Sequence, residues 1–348
     1  RKGDHSDGHL FLDKAVQQGA VAAIVDADWL REATAPAGEA SPAKSPLGKG
    51  ERLPSAVFVP VLDTRAALAE VANQYYEHPG ASLNILGVTG TNGKTTTAFL
   101  LHHLMMAIGE KTGLIGTIEN RIGEQAIATE YTTPEPIELN KTLRAMVDAG
   151  CSTCAMEVSS HGLALDRVRG LQFRVGVFTN LTHDHLDFHG SPEAYASAKK
   201  RMFDGLSADA AAIVNADDPA WKDMVADTSA RVITYGTIEN TDIRVEVLDN
   251  ALAGLRLRLD GAEATFRLAG RFNAFNLAAA YAVGRELDYS QDALLDVLTQ
   301  APGVPGRFET FSSNDGVLGV VDYAHTPDAL GNVLRTARQM MNPAGQLY

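Results

Sequence analysis

Lys94 stands in the run Gly87-Val88-Thr89-Gly90-Thr91-Asn92-Gly93-Lys94-Thr95-Thr96, between an apolar stretch of strand length and a stretch with helical periodicity. A glycine-rich turn that opens a helix lets backbone N–H groups converge on phosphate oxygens, aided by the helix N-terminus. The spacing assigns Lys94 to the β- and γ-phosphates of a nucleotide and the Thr95 hydroxyl to Mg2+. Gly90, Thr91, Asn92, Gly93 and Thr96 complete the loop. The strict pattern asks for a further glycine five residues before Gly93, where Val88 stands.

Other reactive groups follow strand-like runs. Glu157 closes Thr153–Val158 and precedes Ser159-Ser160-His161-Gly162. A carboxylate at the carboxyl end of a parallel strand, beside a phosphate loop, is placed to ligate Mg2+, although a strand-end Glu taken alone is more often a cap or an ion-pair partner. Thr182-His183-Asp184-His185-Leu186-Asp187-Phe188-His189 invites a zinc reading. Closed zinc sites use four Cys or His ligands and no Cys lies nearby, so one His and some Asp serving Mg2+ or orienting neighbours is more economical. Lys199-Lys200-Arg201 falls on a helix opening near Ser191-Pro192-Glu193 and reads on its own as a solvated basic face. Cys151 and Cys154 form a C-x-x-C, but Ala155-Met156-Glu157-Val158 continues as strand where a redox motif opens a helix, leaving two quiet thiols.

The elements that must position these groups follow a repeating strand–turn–helix rhythm. Candidate strands are Asn84–Thr89, Thr112–Thr117, Thr153–Val158, Val175–Asn180, Ala211–Asn215 and Arg231–Tyr235, with helical patterns over Thr95–Ile108 and Ile137–Ala149. That alternation predicts an α/β fold with a mostly parallel sheet covered on both faces and ligands outside the strands' carboxyl ends. Residues 243–268 alternate around Gly and Asp turns and predict antiparallel strands, and Asn273–Leu287 predicts a helix. Upstream, residues 9–19, Ala20–Asp26, Ala56–Val61 and Asp63–Tyr76 form a small α/β unit, interrupted at 33–50 by an Ala-, Pro-, Gly- and Ser-rich stretch that reads as a surface loop. Pro302-Gly303-Val304-Pro305-Gly306 is the clearest linker, and another α/β unit starts near Arg307.

With 348 residues the chain exceeds one ordinary core. Its 30 Lys and Arg against 43 Asp and Glu, net −13, argue against a non-specific binder of nucleic acid or anionic membrane. No apolar run approaches the ~18 residues of a membrane span, and two cysteines fit a reducing, cytoplasmic compartment. The first residue is Arg1 and Gln346-Leu347-Tyr348 reads as an opening strand, so the chain is expected to be an internal segment of a longer protein.

Together, Gly90-Thr91-Asn92-Gly93-Lys94-Thr95, Glu157-Val158-Ser159-Ser160-His161, Asn180-Leu181-Thr182-His183-Asp184-His185-Leu186-Asp187 and Asp322-Tyr323-Ala324-His325-Thr326-Pro327 resemble the Mur ligases of peptidoglycan synthesis, through nearly the whole chain and in motif order. Thr132-Thr133-Pro134-Glu135-Pro136 narrows the resemblance to the branch that adds the third peptide residue. The resemblance implies three domains: a UDP-substrate-binding one at 1–80, incomplete at its start, a central P-loop ATPase at 81–303, and the truncated start of a Rossmann-like ligase domain at 304–348. It implies a monomer that joins a diamino acid to the D-Glu side-chain carboxylate of UDP-N-acetylmuramoyl-L-Ala-D-Glu through an acyl phosphate, using ATP and Mg2+. Meso-diaminopimelate is favoured over L-lysine as the commoner substrate.

The same resemblance carries roles onto single residues. Glu157 and His185 match Mg2+-associated positions, and Lys199 matches a lysine that takes up CO2 as N6-carboxylysine to bind a second Mg2+, which overrides the solvated-face reading for this one lysine. Asn273 and Asn276 match nucleotide-side asparagines, and Arg307 and Asp322 match residues reaching ATP from the third domain, with Tyr323 and His325 bordering the adenine. Thr132, Thr133, Ser159 and Arg167 match positions holding the muramoyl dipeptide, and His5 falls in a uridine-side stretch. Leu165 stands where some relatives carry a substrate-binding Gln. Two alternatives remain: another ligase of the superfamily, such as the folylpolyglutamate type, and a non-catalytic nucleotide-binding switch.

Overall fold

The computed structural model describes residues 7–34, 56–182, 184–251, 254–312, 317–325 and 327–340. His5, most of the 33–50 stretch, His183 and the closing Gln346-Leu347-Tyr348 lie outside the described residues. The chain divides into two compact units, Arg1–Tyr75 and Tyr76–Tyr348.

In the first unit, α1 (Leu12–Gln17) leads to β1 (Ala22–Asp26), α2 (Ala27–Thr34), β2 (Val57–Val61) and α3 (Thr64–Tyr75). β1 and β2 pair in parallel from Ala22↔Val57 to Asp26↔Val61. His9 is buried, stacked on Trp29 at 4.3 Å and bonded to Asp7 at 2.6 Å, and it accepts the Asp26 N–H at 3.3 Å.

The second unit is built on β3 (Asn84–Thr89), β4 (Thr112–Ile115), β5 (Asn120–Ile122), β6 (Gln125–Ile127), β7 (Thr153–Glu157), β8 (Phe173–Phe178), β9 (Ala211–Asn215), β10 (Arg231–Gly236), β11 (Ile243–Ala251), β12 (Gly254–Leu259) and β13 (Ala262–Phe266). They form one sheet in the order β13-β12-β11-β10-β9-β8-β3-β7-β4-β5-β6. The run from β11 to β4 is parallel throughout. Antiparallel hairpins extend both edges, β12–β13 as expected and β5–β6 unforeseen. β4, β7 and β9 are wholly buried, which is why they read as unbroken apolar runs.

Helices α4 (Lys94–Ala107), α5 (Pro136–Asp148), α6 (Ser160–Ala164), α7 (Leu186–His189), α8 (Pro192–Asp204), α9 (Trp221–Met224), α10 (Arg271–Glu286) and α11 (Gln291–Leu298) connect the strands and follow them. Alternate β3 side chains enter opposite cores, Leu86 and Val88 with Leu101 of α4 and Leu277 of α10, Ile85 with Leu143 of α5 and Phe203 of α8. Beyond Arg307, β14 (Glu309–Ser312) and β15 (Leu318–Val321) form an antiparallel pair and α12 (Pro327–Met340) follows. Phe308 and Ala337 there pack with Ala269 and Phe272. Among the described residues no helix is long and apolar enough to cross a membrane.

The topology fixes where chemistry gathers. β3 lies between β8 and β7, and the chain leaves β3 toward β4 on one side yet crosses from β7 to β8 on the other. This reversal opens a crevice at the carboxyl ends of three neighbouring strands. With strands about 4.8 Å apart, the loops after β8, β3 and β7 fall within about 10 Å of one another.

Candidate active site

The phosphate loop leaves β3 through Gly90, whose φ of +146° is a conformation L side chains rarely adopt and where an added Cβ would sit 1.9 Å from Thr179 Oγ1. The loop is clamped by the segment after β8. Asn180 accepts the Thr91 N–H on its carbonyl (2.8 Å) and the Asn92 N–H on Oδ1 (2.9 Å), and returns Nδ2–H to Asn92 O (3.1 Å). Those two amides are therefore engaged. The amides of Lys94, Thr95 and Thr96 head α4, have no carbonyl four residues back in the helix, and form the anion-binding end. Lys94 Nζ folds back on Gly90 O and Thr91 O, both at 2.9 Å. Burial pulls its pKa down, the Glu157 and Asp184 carboxylates pull it up, and Arg307 opposes them.

Glu157, 1% exposed, is held by three donors: Thr117 N–H to Oε1 (2.7 Å), and the Thr95 and Thr117 hydroxyls to Oε2 (2.9 and 3.1 Å). An added Cβ at Gly116 would lie 2.6 Å from Oε1, so the bare glycine admits the carboxylate. The carboxylate and the Thr95 hydroxyl thus meet at the mouth of the phosphate loop.

Lys199 projects from α8 into the same region and is 1% exposed. Its Nζ donates to Gly90 O at 2.7 Å and lies 4.5 Å from the centroid of the Tyr195 ring, one turn earlier on the helix. Burial drives its pKa well below an ordinary lysine's and Lys94 adds to the drop, with Asp184 opposing. Lys200 and Arg201 keep the surface role: Lys200 pairs with Asp204 and Asp227, Arg201 with Asp166 and Leu163 O. Tyr195 OH lies 3.1 Å from Thr91 Oγ1, which also bonds Thr182 O and N–H at 3.2 and 2.9 Å. His185 has left-handed backbone (φ 52°) and approaches His161 edge-on at 4.8 Å. Burial lowers the pKa of both rings, that of His161 to about 4.

On the nucleotide side, Asn276 Oδ1 accepts the Thr97 hydroxyl (3.3 Å), and its Nδ2 donates to Asn273 Oδ1 (2.9 Å). Asn273 in turn donates to Ala269 O at 2.7 Å, so it orients Asn276 and is absent from the cavity lining. Arg307 Nη2 reaches Thr95 Oγ1 at 3.0 Å, with the guanidinium 4.9 Å from the Tyr323 ring centroid. The Asp322 carboxylate accepts the Phe308 and Ala324 N–H groups, both at 2.7 Å, and shapes the turn carrying Arg307. His325 packs against Tyr323 at 5.0 Å.

The Thr-Thr-Pro segment lies across β7. Thr133 Oγ1 donates to Glu157 O and accepts the Ser159 N–H, each at 3.0 Å, and Ser159 Oγ caps α6 through the Gly162 N–H. Thr132 Oγ1 is 3.0 Å from Thr117 Oγ1. Arg167 binds Thr133 O (2.9 Å) and Glu135 (2.8 Å), beneath the Tyr131 ring at 5.2 Å. Leu165 is buried and apolar, so it supplies no polar contact.

One cavity of about 770 Å3 joins these groups, lined by residues 91–96, Thr132, Thr133, Glu157, Ser159, Arg167, His185, Lys199, Asn276, Arg307, Asp322, Tyr323 and His325. Gly90 stays behind it as the carbonyl shared by two lysines. The Nε atoms of Arg167 and Arg307 are buried without a hydrogen-bond partner, as expected of groups awaiting anions. The oxygen donors suit Mg2+, which binds through one or two carboxylates together with substrate phosphates. Among the described residues no three His, Cys, Asp or Glu form a metal cage.

Sequence reasoning passed over Thr117 and Tyr195, and quoted Asn180 in a motif without a role of its own. The apolar pattern carries the expected strand through Thr117, whereas β4 stops at Ile115 and leaves it at the carboxyl end, the place where ligands are expected. Tyr195 lies four residues before Lys199, one helical turn, a signal that gained meaning only once Lys199 was buried.

Comparison with known proteins places the chain as a whole in a family. The family model of the Mur ligase middle domain matches residues 88–284, more than half of the chain. A UDP-N-acetylmuramoyl-L-alanyl-D-glutamate--2,6-diaminopimelate ligase of Cytophaga hutchinsonii is 40% identical over 339 residues, covering 97% of this chain and 66% of its own. The enzyme of the same name from Phocaeicola vulgatus is 40% identical over 351 residues, covering 99% and 67%. The chain therefore spans about two thirds of the length of these relatives. A solved structure bearing that name superposes with a TM-score of 0.75 at 30% identity, over 96% of this chain and 65% of that one. The middle-domain match over residues 88–284 and the 40%-identical relatives, which cover nearly all of this chain, show that the chain belongs to the Mur ligase family.

Proposed function

We propose that the full-length protein is an ATP-dependent ligase joining meso-2,6-diaminopimelate to the D-glutamate side-chain carboxylate of UDP-N-acetylmuramoyl-L-alanyl-D-glutamate in peptidoglycan precursor synthesis. The observation that carries this reading is the single cavity holding Lys94, Glu157, Lys199 and Arg307 together with Thr132, Thr133 and Arg167. The names borne by the 40%-identical relatives give it its substrates.

ATP with Mg2+ supplies the phosphoryl group that turns an inert carboxylate oxygen into a leaving group, through an acyl phosphate. The protein's task is to let two anions meet. Lys94 and Arg307 offset their charge, Arg307 through the Nε left unpaired here. Thr95, Glu157 and His185 would hold Mg2+, and Lys199, once carboxylated, would serve a second ion. Lys199 suits this because its burial favours the neutral amine, the form that adds CO2. As N6-carboxylysine it becomes an anion. Arg167, fixed by Thr133 O and Glu135, keeps Nε for the acidic dipeptide, with Thr132, Thr133 and Ser159 beside it. Asn276, oriented by Asn273, and Asp322, Tyr323 and His325 border the nucleotide. Residues 1–80, with His5, form the UDP-side domain and 304–348 open the third. Both nucleotide substrates belong to the cytoplasm, and we read the full-length protein as a monomer there.

Full-length protein given dipeptide labelled with 18O in the D-Glu carboxylate, MgATP and meso-diaminopimelate should yield tripeptide, ADP and orthophosphate carrying one 18O. Unlabelled orthophosphate, or amide formation on a folate acceptor instead, overturns the reading. Tight ATP binding with no amide product would leave a nucleotide switch.

A further inference from the structure

Thr117 follows β4 by two residues and makes two bonds to one carboxylate, N–H to Glu157 Oε1 at 2.7 Å and hydroxyl to Oε2 at 3.1 Å. The same hydroxyl lies 3.0 Å from Thr132 Oγ1. On the other side, Oε2 accepts the Thr95 hydroxyl at 2.9 Å and Thr95 accepts from Arg307 at 3.0 Å. A continuous chain, Arg307–Thr95–Glu157–Thr117–Thr132, therefore runs from the phosphate loop to the residue assigned to the muramoyl dipeptide.

The chain has a direction. A hydroxyl carries one proton, and Thr117 gives its proton to the carboxylate, so the bridge between the threonines uses the proton of Thr132. Thr132 is left with lone pairs alone, which disfavour an approaching carboxylate or carbonyl oxygen.

We infer that Thr117 is a positioning residue whose hydroxyl couples the nucleotide site to the acid-substrate site by reversing its direction. The inference rests on the proposed function, since it needs both ligands in one cavity. A cation held by Glu157 competes with the Thr117 hydroxyl for the carboxylate. Released from that acceptor, the hydroxyl donates to Thr132, and the Thr132 proton becomes available to an oxygen of the dipeptide. Every proton stays on its own oxygen, and only two C–O rotors turn. The pair is a two-state element that both sites bias, so each ligand must tighten the other by the same factor.

The test is calorimetric binding to the full-length protein, with a non-hydrolysable ATP analogue plus Mg2+ and with UDP-N-acetylmuramoyl-L-alanyl-D-glutamate, separately and together. Wild type should show mutual tightening of about tenfold. Thr117→Val keeps the shape and the N–H bond to Glu157 and removes only the hydroxyl. Its coupling should fall to about onefold, because Thr132 is then always free to donate and the dipeptide binds without nucleotide at least as tightly as to wild type. A purely structural role would weaken that binding instead. Thr117→Ser should retain the coupling, and Thr117→Ala repeats the test should the valine variant fail to fold. Wild-type coupling in Thr117→Val, loss of coupling in Thr117→Ser, or binding of both ligands to wild type without coupling overturns the inference alone. No binding of the dipeptide to wild type under any condition overturns the proposed function, and the inference with it.

Discussion

Replacing Lys199 with methionine should stabilise the protein while abolishing ligation. The amine is 1% exposed and has one hydrogen bond, to Gly90 O at 2.7 Å, and the face of Tyr195 at 4.5 Å. Burial and the neighbouring Lys94 push its pKa far down, which is another way of saying that a proton on it costs folding free energy. Removing it orphans nothing, because Lys94 Nζ also donates to Gly90 O at 2.9 Å. Methionine matches the stem and adapts to the space. Exchanging buried charge for apolar volume is neutral to about 4 kcal/mol stabilising, so about 1–3 kcal/mol is expected here. At about 1–2 °C for each kcal/mol in a chain of this size, the rise in Tm is measurable. The sign with pH is also fixed. Between the lowered native pKa and the ordinary value the unfolded chain binds more protons, so wild type gains stability as pH rises through that window and the advantage of methionine shrinks. Scanning calorimetry in CO2-free buffer across pH 6 to 9 reads both effects, and ADP release should fall by about 100-fold or more. Lys199→Ala, with room for a small anion, should be partly restored by short carboxylic acids. A methionine variant that melts several degrees lower, or near-normal turnover in either variant, would refute this reasoning.

The fold was legible where side-chain periodicity records burial on two faces. β3, β7 and β9 are short apolar runs because helices cover both sides, and each lies within a residue of its expected span. The β5–β6 hairpin was not legible: its strands have three residues each, too few to show alternation. Candidate site residues that the fold brings to one cavity were legible where a motif ties spacing to chemistry, as at Lys94 and Thr95, and where the family resemblance adds what spacing omits, as at Lys199. Alone, Lys199-Lys200-Arg201 reads as one charged face; only packing shows that the first lysine enters the core while its neighbours find carboxylates at the surface. Asp322 shows the converse. The motif marks it as a nucleotide residue, and in the fold its carboxylate holds the backbone amide of Phe308, next to Arg307, and that of Ala324 in its own loop. Thr117 and Tyr195 carry no motif, because their roles consist of distances across 40 and 104 residues of chain.

Three further substitutions probe the same site. Lys94→Ala should lower ADP release by about 100-fold or more, since its charge acts where phosphate charge develops; turnover within tenfold of wild type in a steady-state assay would contradict the assignment. Gly116→Ala places a methyl 2.6 Å from Glu157 Oε1 and should displace the carboxylate, weakening Mg2+ dependence of turnover by about tenfold; an unchanged Mg2+ titration would show that Glu157 does not serve the ion. The last concerns acid. Burial, with His185, His189 and Arg167 nearby, pushes the His161 pKa down to about 4, whereas in the unfolded chain it returns to about 6.5. Between those values the unfolded state binds the extra proton, so stability must fall as pH drops from 6.5 toward 4. His185 and His189, both lowered mainly by burial, add to the same slope. His161→Phe keeps a ring against Phe188, which His161 meets at 4.2 Å, and removes one titrating site, so its acid limb should be shallower than that of wild type. Parallel melting curves for the two proteins across pH 4 to 6.5 would mean that the protonated imidazole is accommodated in the fold, and that the histidine cluster is wetter than its packing implies.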